Sequence, residues 1–450
     1  MSRISRQQWL ALAVLFCALS LPLQAADLLQ AYREALQHDV QFAAAQAQYK
    51  AGLEQRAQRR AGLLPQLSMD AQNTWNQTQY EVASGDVEYR QQNRTYSIQL
   101  VQPLFRWQSW VQYQQGRQLS ALAASRQSIA YQELVLRVAE AYFNVLNAEE
   151  VFGAVIQLRT ADAEHLASAR KNFELGNVSI ADVHEAQASF DRALAQAIKA
   201  ENDLELARHA LARVIGRQPE HLLTLRPGIV LKAPQPNRVD AWVEAATQGN
   251  FGVQAQELSL HIASDEVRSR QAEHLPTLDL VASQNMHERP NLGTERSESA
   301  SVGLRLSMPL YGGGRTSSAV REAQSLKVQA EAELEDARRA AALAAREAWL
   351  GVVGGMAQIR ALEAATRSAQ SAVDANRLGY KVGVRIGIDV LEVQSQLSDT
   401  VQQLSRARYD TLLAQLRLKA AVGSLGEADL HEVNALLAAA PCAFGGDGCG

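Results

Sequence analysis

The residues with chemical capacity in this 450-residue chain are few and scattered. Its 9 histidines are dispersed, and none forms an H-x-x-x-H pair or a Cys/His zinc spacing. Val422-Gly423-Ser424-Leu425-Gly426 lacks the first glycine of a nucleophile elbow. Gly312-Gly313-Gly314-Arg315 follows a strand pattern and precedes a helical one, as a phosphate loop does, but lacks the Gly-Lys-Ser/Thr ending. The chain therefore reads as a non-enzyme, with no catalytic residue, metal site or cofactor expected. The charged candidates gather at two glycine turns. Asp182 follows the turn at Gly176, and Tyr380, Arg385, Asp389 and Glu392 flank the turn at Gly383. On a helix end such charges are ordinarily solvated, and the residues alone give them no further role.

The two turns belong to a duplication. Gly176/Gly383, Asp182/Asp389, Val183/Val390, Gln187/Gln394 and Gly216/Gly423 share one offset of 207 residues. Upstream, Leu64-Pro65-Gln66-Leu67 answers Leu275-Pro276-Thr277-Leu278, and Pro103-Leu104-Phe105 answers Pro309-Leu310-Tyr311. The offset changes between these landmarks, which places a shorter loop in the second copy. A repeat of such length is one structural unit used twice. The copies span 26–215 and 239–425, with a proline-bearing connector at 216–238 and a tail at 426–450.

Residues 1–25 read as a secretory signal peptide: Arg3 and Arg6, an apolar run from Trp9 to Leu21, then small residues up to Ala25 and Ala26. Phe16 before Cys17 argues against a lipoprotein signal. The formal net charge of −4, without a basic block, gives nucleic-acid binding no support. No later stretch is apolar enough for a helical membrane span. Cys442 and Cys449 in the Gly-rich tail suit a small disulfide loop, with a metal site the weaker reading.

Each copy runs helix, two strands, very long helix, glycine turn, helix. The first helices cover about Asp27 to Ala61 and Arg238 to Glu273. Strands are expected at about 64–79 and 95–105, and again at 275–287 and 298–310. The last is the cleanest: Val302, Leu304, Leu306 and Met308 alternate with Ser301, Gly303, Arg305 and Ser307. Such alternation over roughly ten residues is that of a transmembrane barrel strand. A sheet packed on a soluble core alternates in the same way. Aromatic residues crowd the strands and their ends, among them Trp75, Tyr96, Phe105, Trp107, Trp110 and Tyr311, as interfacial girdles do. Four strands cannot close a barrel, and an open edge in lipid is forbidden, so the barrel reading requires several chains. Polar loops are expected at 81–94 and 288–297. Proline-free rods cover about Gln108 to Leu175 and Thr316 to Tyr380, each roughly 100 Å long at 1.5 Å per residue. Rods of that length suit a coiled-coil assembly.

In this order, twice, the Leu-Pro-x-Leu strand starts, the Pro-Leu-aromatic strand ends and the Gly-x-x-x-x-x-Asp-Val turns resemble the TolC family of outer-membrane efflux and secretion channels. The resemblance covers nearly the whole mature chain. It implies an α+β membrane channel and a homotrimer. A twelve-stranded transmembrane β-barrel in the lipid of a Gram-negative outer membrane would continue into a periplasmic α-helical coiled-coil barrel, with a collar from connector and tail. It further implies that Tyr380 and Arg385 link to Asp182 to hold a periplasmic gate shut, and that Asp389 and Glu392 form carboxylate rings at the constriction. The turns at Gly176 and Gly383 would dock a periplasmic adaptor. Ala181 departs from the family, which often has a hydroxyl there, and Glu392 stands where aspartate is common. Energy would come from an inner-membrane ABC exporter or a proton-driven pump. The reading leans toward type I protein secretion over drug efflux, with a periplasmic coiled-coil scaffold as the third class.

Overall fold

Helix and strand boundaries in the second half repeat those in the first. The computed structural model describes residues 27–83, 85–219, 221–226, 228–291 and 294–438. The signal peptide and Cys442 and Cys449 lie outside the described residues. Helices α1 (Leu28–His38) and α2 (Val40–Ala61) lead into β1 (Gln66–Val82) and β2 (Gly85–Phe105). The long helix α3 (Trp107–Glu174) turns at Gly176 into α4 (Ile180–Ile215), and β3 (Thr224–Leu225) lies in the connector. The second copy follows with α5 (Val239–Gly249), α6 (Phe251–Ala272), β4 (Thr277–Asn291), β5 (Thr294–Ser307), α7 (Arg315–Lys381) and α8 (Gly387–Ala421). The chain ends with α9 (Glu427–Asn434) and β6 (Leu437–Ala438), so the tail carries a helix and a strand.

The first helix of each copy is broken, not continuous. Asp39 stands between α1 and α2 with extended backbone, and its carboxylate accepts from the Phe42 N–H at 2.7 Å. Asn250 does the same between α5 and α6, accepting from the N–H groups of Gly252 and Val253. A short polar side chain that satisfies the orphan N–H groups of a new first turn competes with helix continuation and wins at both places.

Two compact units divide the chain, and each draws on both copies. One takes residues up to Ala43, Tyr131–Trp242 and the chain from Ala344; the other takes Ala44–Ala130 and Val243–Leu343.

The second unit carries a four-stranded antiparallel sheet in the order β1-β2-β4-β5. The β1–β2 ladder runs from Gln66↔Val101 up to Val82↔Gly85. The expected polar loop at 81–94 is therefore mostly strand, and so is that at 288–297, where pairing reaches Asn291↔Thr294. Polarity misleads here because the ladder satisfies the backbone while polar side chains pair across it. Gln92 donates to Asn73 at 3.0 Å, Gln79 donates to Asp86 at 3.0 Å, and Arg94 meets Glu288 at 3.5 Å. The fourth strand stops at Ser307, short of Pro309, which has no N–H for a ladder. At the strand bases Arg106 donates twice to the buried Asp279 carboxylate, at 2.8 and 2.7 Å, tying the start of α3 to β4.

The apolar face of this sheet is bare. Leu67, Met69, Trp75, Val302, Leu304 and Leu306 are each at least two-thirds exposed. That decides against a sheet packed on a soluble core, which would cover this face. β1 and β5 each keep one side without a strand partner among the described residues. Below the sheet α2 and α3 pack closely: Gly52 meets Ala123, Gly116 meets Arg59, and Ser120 Oγ donates to the Gly52 carbonyl at 3.1 Å.

The first unit has a helical core. Leu134, Tyr142, Phe143 and Leu146 of α3 and Leu412 and Leu416 of α8 are buried, with the Phe143 and Tyr409 rings 5.6 Å apart. Arg137 donates to both oxygens of Asp39, at 3.1 and 3.0 Å. Tyr142 Oη donates to the Leu223 carbonyl at 2.9 Å and anchors the connector, whose β3 pairs with β6. Farther along, α3 and α4 meet through small residues: Val155 against Ala197 and Ala200, then Leu166 and Ala169 against Ala186. Recurrent alanines at helical spacing allow such close approach.

Candidate gate at the helix turns

Both turns are built alike, for a local reason. Gly176 (φ 76°) and Gly383 (φ 79°) take the left-handed conformation that closes a helix C-terminus. The Gly176 N–H donates to the Phe173 carbonyl and the Asn177 N–H to Asn172; the Gly383 N–H donates to Tyr380 and the Val384 N–H to Gly379. The rods and return helices are also cross-linked alike. Arg170 donates to Gln187 at 2.6 Å, and Gln394, with its amide oxygen turned toward Arg377, accepts from that guanidinium at 3.2 Å.

The turns differ in what caps the returning helix. Ser179 caps α4: its Oγ accepts from the Asp182 N–H at 3.3 Å, while Asp182 accepts from the Ser179 N–H at 2.8 Å and its hydroxyl at 2.9 Å. This is a reciprocal capping box. Ile386 stands at the equivalent place before α8 and offers no side-chain cap. Asp389 is thereby released, and its Oδ2 lies 3.5 Å from Arg385. Within one chain Arg385 thus pairs with Asp389, and no ion pair joins it to Asp182 among the described residues. Both aspartates sit in a first helical turn, where the helix dipole favours a carboxylate.

The expected gate residues are nonetheless gathered. Asp182, Tyr380 and Arg385 line one cavity of about 860 Å³, together with Gly176, Gly383 and Glu185. Asp389 and Glu392 lie one turn apart at the start of α8, Glu392 exposed. The same cavity is lined by His165 of α3, which sequence reasoning did not single out. Its half-buried ring packs 5.3 Å from that of Tyr380, and a methyl group on Gly387 would sit 2.7 Å from its Nε2. Burial pushes the His165 imidazole pKa down, partly opposed by the Asp182 charge. The one available signal was its place on the stripe of Leu158, Asp162, Leu166 and Ala169, which the helix buries. No helix is long and apolar enough to cross a membrane, and no group of three or more metal-binding side chains is assembled, among the described residues.

The model of the outer membrane efflux protein family matches residues 31–217 and 242–424, one match to each copy and most of the chain together. The chain belongs to this family. Named relatives match the chain at high coverage. The outer membrane protein TolC of Vibrio cholerae is 32% identical over 422 residues, 93% of this chain and 95% of the relative. The alkaline protease secretion protein AprF of Pseudomonas aeruginosa is 32% identical over 419 residues, 91% of this chain and 87% of the relative. Among solved structures, the Campylobacter jejuni CmeC outer membrane channel superposes with a TM-score of 0.77 at 16% identity, covering 91% of this chain and 90% of that one. The fold is accordingly that of TolC-like trimeric channels, and the protein resides in a Gram-negative outer membrane, extending into the periplasm.

Proposed function

We propose that three copies of this chain form the outer-membrane exit duct of a tripartite type I machine, passing proteins from an inner-membrane ABC exporter to the exterior. The observation that carries the reading is likeness, over nine-tenths of the chain, to a protease secretion protein. The bare apolar sheet face with two free edges supports closure into a barrel by neighbouring copies. The family's description as efflux proteins favours a second reading, a duct for small molecules. Deleting the gene and comparing the secretome and drug tolerance with those of the complemented strain separates the two. Loss of one or a few large secreted proteins with tolerance intact is expected. Drug sensitivity with an unchanged secretome would replace this reading with efflux.

The turns are the proposed docking surface for a periplasmic adaptor. Leu175 and Ile180 beside Gly176, and Val382, Val384 and Ile386 beside Gly383, are all at least half exposed, apolar surface that a partner would cover. Asp182, Tyr380 and Arg385 are the proposed gate, with Asp389 and Glu392 as the carboxylate rings. An exposed ion pair contributes only about 0.2–1 kcal/mol, and three symmetry copies about 0.6–3. A 99:1 closed bias needs about 2.7 kcal/mol, so such a gate rests shut yet opens when a partner docks. Arg385→Ser removes both the Asp389 contact and any reach toward Asp182, and is expected to raise single-channel conductance in planar bilayers. Parental conductance from a normally assembled trimer would remove the gate assignment.

A further inference from the structure

Two histidines stand near the helix turns: His184 is exposed on α4, and His165 is wedged between the two copies of the repeat. His165 projects from α3 into the cavity that Asp182, Tyr380 and Arg385 also line. The Tyr380 ring lies against it on one side, at 5.3 Å between centroids and 54° between planes. The backbone at Gly387 closes another side so tightly that no larger residue fits without displacing the imidazole. This histidine thus bridges a first-copy rod to the second-copy turn that bears Arg385.

We propose that His165 is a gating residue whose protonation loosens the seam between the two turns, so that the duct opens more readily as the periplasm acidifies. The proposal rests on the gate reading above.

The charges around the ring set the direction. From its own helix comes Asp162, one turn away; from α4 come Asp182 and Glu185; from the second turn come Tyr380, Lys381 and Arg385. Asp182 is the natural counter-ion, but its carboxylate already accepts two hydrogen bonds from Ser179. From the second turn only Tyr380, Lys381 and Arg385 among the charged or titratable residues line this cavity, so that turn offers the ring no counter-ion. Asp162 is buried, with Ser189 donating to Oδ2 at 2.9 Å and Oδ1 left without a partner. Burial raises its pKa, so it contributes weakly as a counter-charge in acid. An imidazolium in this seam is therefore less well served than one in water.

The sign follows. The closed-seam pKa lies below the solvated value of about 6.5. Above that value both states hold a neutral ring, and closed packing is unopposed. As pH falls below it the opened state takes up protons first, and closed packing is progressively lost.

The test records trimer conductance in planar bilayers from pH 7.5 to 5, for the parent, His165→Gln and Arg385→Ser. A severalfold rise in the parent beginning near pH 6.5, and a flat profile for His165→Gln, are expected. The same rise in both would assign the proton to a group other than His165 and overturn the proposal. A flat parent beside a raised Arg385→Ser would leave the gate standing and remove the switch. Parental conductance in Arg385→Ser would remove the gate itself. Should His165→Gln fail to assemble, the onset in a His184→Gln variant decides: near pH 6.5 supports His165, and only below about pH 5 overturns it, since unperturbed carboxylates titrate there.

Discussion

Replacing Arg137 with alanine is expected to destabilise the helical unit by about 3–5 kcal/mol, the cost of leaving a buried charge without its partner. Asp39 is only 6% exposed and accepts both Arg137 bonds as well as the Phe42 N–H. Without the guanidinium its carboxylate is left in a poorly solvated site with the Phe42 N–H alone. The second copy provides an internal control. It has Asn250 at the equivalent break, which makes the same backbone cap without a charge. Asp39→Asn should therefore cost less than Arg137→Ala, because it keeps an acceptor for Phe42 and leaves only a partly exposed arginine unpaired. Denaturant unfolding of the purified protein followed by circular dichroism compares the two. Arg137→Ala within about 1 kcal/mol of the parent would mean that this pair behaves like a surface one.

Leu304→Arg is expected to abolish assembly into the outer membrane. Leu304 is the centre of the exposed apolar run on the bare face, between Val302 and Leu306, three residues before β5 ends at Ser307. Arginine on the lipid face of a barrel costs up to about 2–4 kcal/mol, depending on depth, and three chains incur it together. Ser301→Arg places the same charge on the opposite face, where Ser301 Oγ meets Ser283 Oγ at 2.9 Å. That face borders water in a channel, so the second variant should assemble. The readout is carbonate-resistant oligomer in the outer-membrane fraction, run without heating. If both variants assemble, or both fail, the two faces have been assigned wrongly.

The duplication, the alternating faces and the two rods were legible in the sequence because each rests on many residues acting together. The turns were legible because glycine with a positive φ has few substitutes, and Gly176 and Gly383 sit at one offset. Features set by one residue and its distant partner were not. Asp39 is a mild helix disfavourer in a long helical run, and the break there depends on a backbone cap and on Arg137 nearly a hundred residues away. The hairpin ends were hidden by composition, since a ladder accepts polar side chains when Gln, Asn, Asp and Glu pair across it. At the proposed gate, the capping box by which Ser179 engages Asp182 locally was not read from the sequence. Ile386 in the second copy, where Ser179 stands in the first, explains why Asp389 and not Asp182 faces Arg385. His165 was invisible as chemistry because a lone histidine on an apolar stripe has no spacing partner to declare it.

The outer sides of β1 and β5, without a strand partner among the described residues, have a consequence for how the proposed duct can choose its cargo. Because like chains must complete the wall, every substitution in one gene is written around the whole circumference. A passing molecule meets rings of identical groups and never a one-sided pocket shaped to a single substrate. Discrimination must then be exercised before the molecule enters, by whatever hands it over, and the wall is left free to drift toward being slippery instead of selective.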